Sequence, residues 1–275
     1  MVGVSSRIRA VRHAIDCGVS QRRACQLLGV ARSMLTYRHR QPEKDRALRH
    51  AIAEVAGAHP AWGYRLVAGW LREHGAVRGV KRVRRLWRLG GYTAHWRKRH
   101  KKRRTGARLN PVPHRPNSVW CMDFAEDRLE NGRRFCALLV KDEASAFCVG
   151  LPVARSFKAI DVERILDELV TQYGKPEHVR CDNGGQFVAY VVQRWAARHR
   201  VHMAHIAPGK PWQNGAAESL VATYRREILD AELFHTLAEA QVISERWRRM
   251  YNEQRPHSRL SYRPPATAYR ISRTG

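Results

Sequence analysis

Acidic residues are scarce in the first part of this chain. Residues 1–117 hold 5 Asp and Glu against 28 Lys and Arg, whereas residues 118–275 hold 19 against 23. The 275-residue chain, of net charge +27, thus reads as a basic binding half joined to a nearly neutral half, and a polyanion is the natural partner. No apolar run approaches the ~18 residues that span a bilayer, and the N-terminus lacks the apolar stretch of a secretory signal. The chain is therefore expected in the cytosol. Its arginines are spread over several short helical patterns rather than one amphipathic anchor, which favours nucleic acid over a membrane surface. Cys17, Cys25, Cys121, Cys136, Cys148 and Cys181 form no CxxC pair, and the 14 histidines show no paired spacing with them. That argues against a disulfide framework or structural zinc and for buried free thiols. Internal repeats, low-complexity tracts and a Ser-His-Asp arrangement are missing too.

With 44% hydrophobic residues, the sequence is that of a folded protein of about two domains. Residues 1–41 read as a helix-turn-helix-like segment. Ile8, Val11 and Ile15 have helical spacing closed by Gly18, Ser20 caps a helix over 21–28, and Cys25 lies four before Gly29, the spacing of a close helix crossing. Arg32, Ser33, Tyr37 and Arg38 would then reach phosphates or base edges. Residues 42–94 read as a basic helical DNA-binding domain, with helices over 45–58, 63–74 and 80–89. The last sets Lys81, Arg82, Arg84, Arg85 and Arg88 beside an inward-packing Val83, Leu86 and Trp87. Residues 95–117 form a linker. Arg97, Lys98, Arg99, Lys101, Lys102, Arg103 and Arg104 would lie along phosphates, near Tyr92 and Trp96, before Pro111, Pro113 and Pro116 stiffen the exit.

Residues 118–275 carry strand patterns at 118–124, 134–140, 146–151, 178–181 and 201–205, and helical patterns at 159–173, 187–199 and 213–230. Three early strands followed by alternating helices and strands predict an α/β fold, a mixed sheet covered by helices. Three carboxylates stand in unusual local settings within it. Asp123 ends the run Trp120-Cys121-Met122. Asp182 follows a short strand and opens Asp-Asn-Gly-Gly. Glu218 is separated from Asp182 by 35 intervening residues and lies after Pro208-Gly209-Lys210-Pro211, at the start of a helix. If the two strands are neighbours, both aspartates emerge at one end of the sheet. Hard-oxygen ligands of this kind suit Mg²⁺, and two such ions about 4 Å apart serve in-line displacement at a phosphodiester.

These motifs, together with His59-Pro60-Ala61-Trp62-Gly63-Tyr64-Arg65, Val80–Leu89, Pro211–Glu218, Tyr251–Ser258 and Pro264-Pro265-Ala266, resemble the OrfB product of the insertion-sequence-three family of DDE transposases along nearly the whole chain. The resemblance implies an RNase H-like, retroviral-integrase-like catalytic core with a mixed five-stranded sheet, and a C-terminal tail. It implies Asp123 bridging two Mg²⁺ ions (Mn²⁺ substituting), with Asp182 and Glu218 each completing one shell. It implies cleavage at transposon 3′ ends and attack of the freed 3′-OH on target DNA. Arg225, seven residues past Glu218, fills the family's basic position, about 10.5 Å along one helix face, and with Lys210 is expected to contact DNA. An OrfA partner or frameshift fusion is a further implication, consistent with the chain's lack of OrfA's leucine heptads, and the resemblance also implies a homo-oligomer assembled on DNA in a nucleoid-associated setting. Asn183, Gln213 and Asn214 either shape metal loops and contact phosphate or serve as turn and cap residues. Trp212 would stack on bases, whereas Trp62 reads as core. Arg255, His257 and Arg259 would bind DNA or brace the core. The alternatives are a non-catalytic DNA-binding regulator derived from a transposase, and an RNase H-like nuclease without strand transfer.

Overall fold

The computed structural model describes residues 3–36, 41–76, 79–94, 111–207 and 210–271. It divides at Ala47/Leu48 into two compact units. In the first, α1 (Val4–Asp16) ends at Gly18, whose φ of +88° suits glycine. The Ser20 hydroxyl accepts from Arg23 N at 3.4 Å and so caps α2 (Gln21–Leu27). Two short helices follow, α3 (Ser33–Thr36) and α4 (Gln41–Lys44). Val11, Ala24, Cys25 and Val30 form the small core, so Cys25 fills the predicted crossing position. Arg32 is exposed. Tyr37 and Arg38 lie outside the described residues.

The second unit begins within α5 (Arg46–Ala58), followed by α6 (Tyr64–Glu73) and α7 (Val80–Leu89). Their apolar stripes, including Ile52, Val67, Leu71, Val83, Leu86 and Trp87, close over Trp62, which is 1% exposed and hence a core residue. The α6 helix lies hard against the C-terminal segment: a Cβ on Gly69 would fall 2.8 Å from the Tyr262 Cβ, and Arg72 Nη2 donates to Ser261 O at 2.5 Å. These helices and the sheet therefore share one compact unit.

The sheet has the order β3-β2-β1-β5-β6, from β1 (Val119–Arg128), β2 (Arg134–Asp142), β3 (Cys148–Gly150), β5 (His178–Cys181) and β6 (His202–His205). A sixth strand, β4 (Val153–Ala154), also pairs with β2, so β3 and β4 form an edge interrupted at Leu151-Pro152, where Leu138 N still donates to Pro152 O. The β1–β2 pairing is antiparallel, while β1–β5 and β5–β6 are parallel. Trp120, Met122, Leu138, Val140, Val179 and Cys181 face α8 (Ala159–Tyr173), α9 (Gly185–Val188) and α10 (Tyr190–His199). Ala125, Ala137 and Leu139 face the opposite layer, built from α11 (Gly215–Tyr224) and α12 (Leu237–Glu253).

Several expectations change. The predicted helix over 187–199 is two helices that meet at Ala189, where ψ is 143°. The predicted helix over 213–230 is a 3₁₀ turn (Pro211–Asn214), then α11, then a π segment (Arg225–Leu229). The expected tail includes the 17-residue α12, capped by Thr236 Oγ1 on Glu239 N at 3.1 Å, and α13 (Pro265–Ile271). No described helix is long and apolar enough to cross a membrane.

Candidate active site

The parallel β1–β5 register decides the site. Val119 pairs with His178, Trp120 with Val179 and Cys121 with Arg180. Extended two steps past the last pair, that register would set Asp123 level with Asp182, the first residue after β5. Side chains alternate along a strand. Met122 and Cys181 point into the α8–α10 layer, so Asp123 and Asp182 belong to the α11 side. Asp123 does not end its strand, as its apolar run had suggested. The antiparallel ladder with β2 carries β1 on to Arg128, while β5 stops at Cys181. The site lies where one of the central strand's neighbours ends, leaving both carboxylates half-buried rather than covered.

Local contacts hold each carboxylate. Asp123 Oδ1 accepts from Phe124 N at 2.8 Å. Asp182 Oδ1 accepts from Gly184 N at 2.9 Å, an Asx turn of the kind Asp-Asn-Gly favours. Phe187, 1% exposed, stacks on Phe124 with ring centroids 4.9 Å apart, which pins the Asp182 loop to β1 beside Asp123. Asn183 Nδ2 donates to Ile206 O at 2.8 Å. Glu218 sits in the first turn of α11, next to the wholly buried Ala217. That helix is tied down at its start: Asn214 Nδ2 donates to Met122 O at 3.1 Å, and the buried Lys141 ammonium donates to Ala216 O at 3.2 Å. Asn183, Gln213 and Asn214 are thus protein-bonded here, Gln213 through its Oε1 on Ala207 N at 2.7 Å.

Asp123 carries the electrostatic mark of this crowding. Its pKa is pushed up to about 6, first by desolvation and then by the negative charges of Asp182 and Glu218, partly offset by the Phe124 N–H. Acceptor-only oxygens from three like charges are a donor set for a hard divalent ion. Among the described residues no three His, Cys, Asp or Glu side chains close into a single ligand cage.

Residues 113–211 and 199–265 match the integrase core domain, and residues 43–100 match an HTH-like domain. A 31.7 kDa protein of insertion element IS407 from Burkholderia multivorans is 34% identical over 261 residues, which cover 94% of this chain and 92% of that protein. The chain belongs to the insertion-sequence-three family of DDE transposases. A 39.2 kDa protein of insertion element IS476 from Xanthomonas euvesicatoria is 34% identical, covering 94% of this chain and 75% of its own. The transposase of IS904 from Lactococcus lactis is 25% identical, covering 82% and 96%. The catalytic core domain of BIV integrase superposes with a TM-score of 0.42 at 19% identity, over 57% of this chain and 97% of that one. The protein is thus a transposase, an enzyme acting on DNA.

The basic residues singled out in this transposase divide into groups. Lys81, Arg82, Arg84, Arg85 and Arg88 all lie on the exposed face of α7, opposite its buried Val83, Leu86 and Trp87. Lys210 is exposed just ahead of the 3₁₀ turn, and Trp212 is 41% exposed beside it. Arg225 is half-buried, and its Nη2 donates to Glu126 O at 2.9 Å, so in this state it braces β1. Arg97, Lys98, Arg99, Lys101, Lys102, Arg103, Arg104 and the Pro208-Gly209 step lie outside the described residues. Arg255, His257 and Arg259 brace the core: Arg255 pairs with Glu227 at 2.8 Å, Arg259 donates to Ala144 O at 2.8 Å, and His257 is held neutral by burial, its pKa lowered to about 2. Sequence reasoning missed Lys141, Phe187, Gln193 and His205. A lysine directly after the apolar run 135–140 is the one local signal for Lys141, and its partner, Ala216 O, is remote in sequence.

The crowding has a consequence for stability. A carboxyl whose folded pKa is about 6, against about 3.8 unfolded, binds its proton more tightly when folded. Ionising it therefore costs stability, fully above about pH 6, and the cost disappears as pH falls to about 4. Asp123→Asn is expected to raise metal-free stability by about 1–2 kcal/mol at pH 7.5 and to change little at pH 4. Chemical unfolding in chelator at the two pH values checks this, and equal effects at both would refute it.

Proposed function

We propose that this transposase catalyses Mg²⁺-dependent cleavage at the ends of its element and transfer of the freed 3′-OH into target DNA. In this reading Asp123, Asp182 and Glu218 would be the carboxylates that hold the divalent ions, with Asp123 common to both. The ions, when bound, would activate the attacking oxygen and offset charge on the leaving 3′-oxygen. The residues of the chain do the rest. Asp123 lies in β1, Asp182 opens the loop that follows the neighbouring β5, Glu218 sits in the first turn of α11, and the Phe124–Phe187 stack packs that loop against β1. The observation that supports the reading is that the charges of Asp182 and Glu218, both remote in sequence, act on Asp123 where β1 runs beside β5.

The DNA would run over the basic face of α7 and past Lys210 and Arg225, with Arg32 and Arg38 contacting it from the N-terminal segment and Arg97 to Arg104 tracking phosphates. A complex assembled on two ends implies a homo-oligomer, and an OrfA partner would supply recognition of the terminal repeats. The decisive experiment incubates the chain, with and without OrfA, on element-end DNA with Mg²⁺ or Mn²⁺. Nicked 3′ ends and joined products support the reading. Nicked but never joined products reduce it to a nuclease, and binding without either reduces it to a regulator. DNA affinity is further expected to fall at least about a hundredfold between 50 and 200 mM salt as bound counterions are displaced. A flat salt profile would remove the basic half from the DNA path.

A further inference from the structure

The end of β6 grips the loop that carries Asp182 at three points. Ile206 N donates to Cys181 O at 3.1 Å, Asn183 Nδ2 donates to Ile206 O at 2.8 Å, and His205 Nδ1 lies 3.3 Å from Asp182 O and 3.5 Å from Cys181 Sγ. The last contact acts on the peptide of the carboxylate-bearing residue itself. His205 pairs with Cys181 in the β5–β6 ladder, so its ring is already directed to that level.

The tautomer of His205 follows from its other nitrogen. Gln193 Nε2 is 3.3 Å from Phe187 O and 3.1 Å from His205 Nε2. A backbone carbonyl only accepts, so Gln193 presents its NH₂ group there, and its two hydrogens serve both acceptors. His205 Nε2 is thus an acceptor, and the proton sits on Nδ1, from which it is donated to Asp182 O. The ring is held at both ends, and Gln193 itself is fixed between the buried Val192 and Trp195 of α10. The segment just after β6 also reaches the 3₁₀ turn that precedes the Glu218 helix, through Ala207 N on Gln213 Oε1.

We propose that His205, locked as the Nδ1–H tautomer by Gln193, is a positioning residue of the transposition reaction. It sets the Asp182 peptide plane so that the carboxylate stands level with Asp123. The inference rests on the reading of the three carboxylates given above. A displacement of about 1 Å in such a site costs about a hundredfold in rate, so a hydrogen bond to the backbone carbonyl of the carboxylate-bearing residue itself is enough to matter.

The test uses the full chain with four readouts: the cleavage rate on element-end DNA, the Mg²⁺ concentration giving half-maximal cleavage, the rise in melting temperature on adding Mg²⁺, and DNA affinity in chelator. His205→Leu is expected to cut the rate 10- to 100-fold, raise half-activating Mg²⁺ about tenfold and shrink the Mg²⁺-induced thermal shift, with chelator affinity within twofold of wild type. His205→Asn, whose amide N–H donates from near the position of Nδ1, is expected to recover most of the rate. Gln193→Leu is expected to fall between, and ring ¹⁵N spectra should show Nδ1–H in the wild type. The proposal is overturned by wild-type Mg²⁺ dependence in both Leu variants, by equal defects in the Leu and Asn variants at position 205, or by an Nε2–H signal. If His205→Leu does not fold, Gln193→Leu decides on the same readouts. Asp182→Asn is run alongside: if it cleaves normally the carboxylate reading falls, and if it is dead while the Leu variants are normal only the role of His205 falls.

Discussion

Asp123→Asn is expected to lower Mg²⁺-dependent cleavage of element-end DNA by about a thousandfold or more, while DNA affinity in chelator stays within about twofold. The amide keeps the shape and the Phe124 N–H contact but removes the charge that both ions would share. Several kcal/mol of transition-state stabilisation then disappears, and each 1.36 kcal/mol is a factor of ten. Binding survives because the phosphate contacts are assigned to Lys and Arg elsewhere. Rates of cleavage and binding isotherms measured on the same preparation separate the two effects. Near-normal cleavage by this variant would remove Asp123 from the chemistry. Since the same substitution is expected to stabilise the metal-free protein at pH 7.5, loss of activity would not be traceable to unfolding.

Arg255→Ala is the second large effect expected, and it acts on the scaffold. Arg255 is 8% exposed, its Nε donates to Glu227 Oε1 at 2.8 Å, and its guanidinium carbon lies 5.7 Å from the centre of the Tyr251 ring. Trp247 Nε1 donates to the other Glu227 oxygen at 3.0 Å. Removing Arg255 leaves a buried carboxylate with half its partners, which costs about 3–5 kcal/mol. Glu227 lies in the π segment that continues the helix of Glu218, so the loss is also expected to reduce cleavage. Urea unfolding of Arg255→Ala, Glu227→Ala and the double variant tests this. The double variant should lose clearly less than the sum of the singles, and strict additivity would show that the pair is not a unit.

Much of the site was legible in order but not in space. Helix 159–173 and strand 178–181 were read with their observed bounds, because apolar spacing is a local signal. The α7 face was legible for the same reason: its period separates basic from apolar residues without help from any neighbour. The π segment was not, since a widened turn is imposed by what it packs against: here Glu227 turned toward Arg255 and Trp247. Helix α12 was missed because Arg246, Arg248 and Arg249 break its apolar stripe. Arg248 is drawn in by Glu245, its Nη1 reaching Cys148 O and the Tyr173 hydroxyl, contacts from about 75 and 100 residues away.

The amino-acid order by itself determined the charge division and the absence of a membrane-spanning run, and it singled out three acidic residues as candidates, since each is a property of composition or of a few adjacent positions. Only the tertiary structure decided that Asp123 lies within β1 rather than at its end, that it is level with Asp182, and that His205 and Gln193 stand behind the second aspartate. Strand adjacency and register are settled by which faces the whole chain can bury at once, and no short window of residues contains that information.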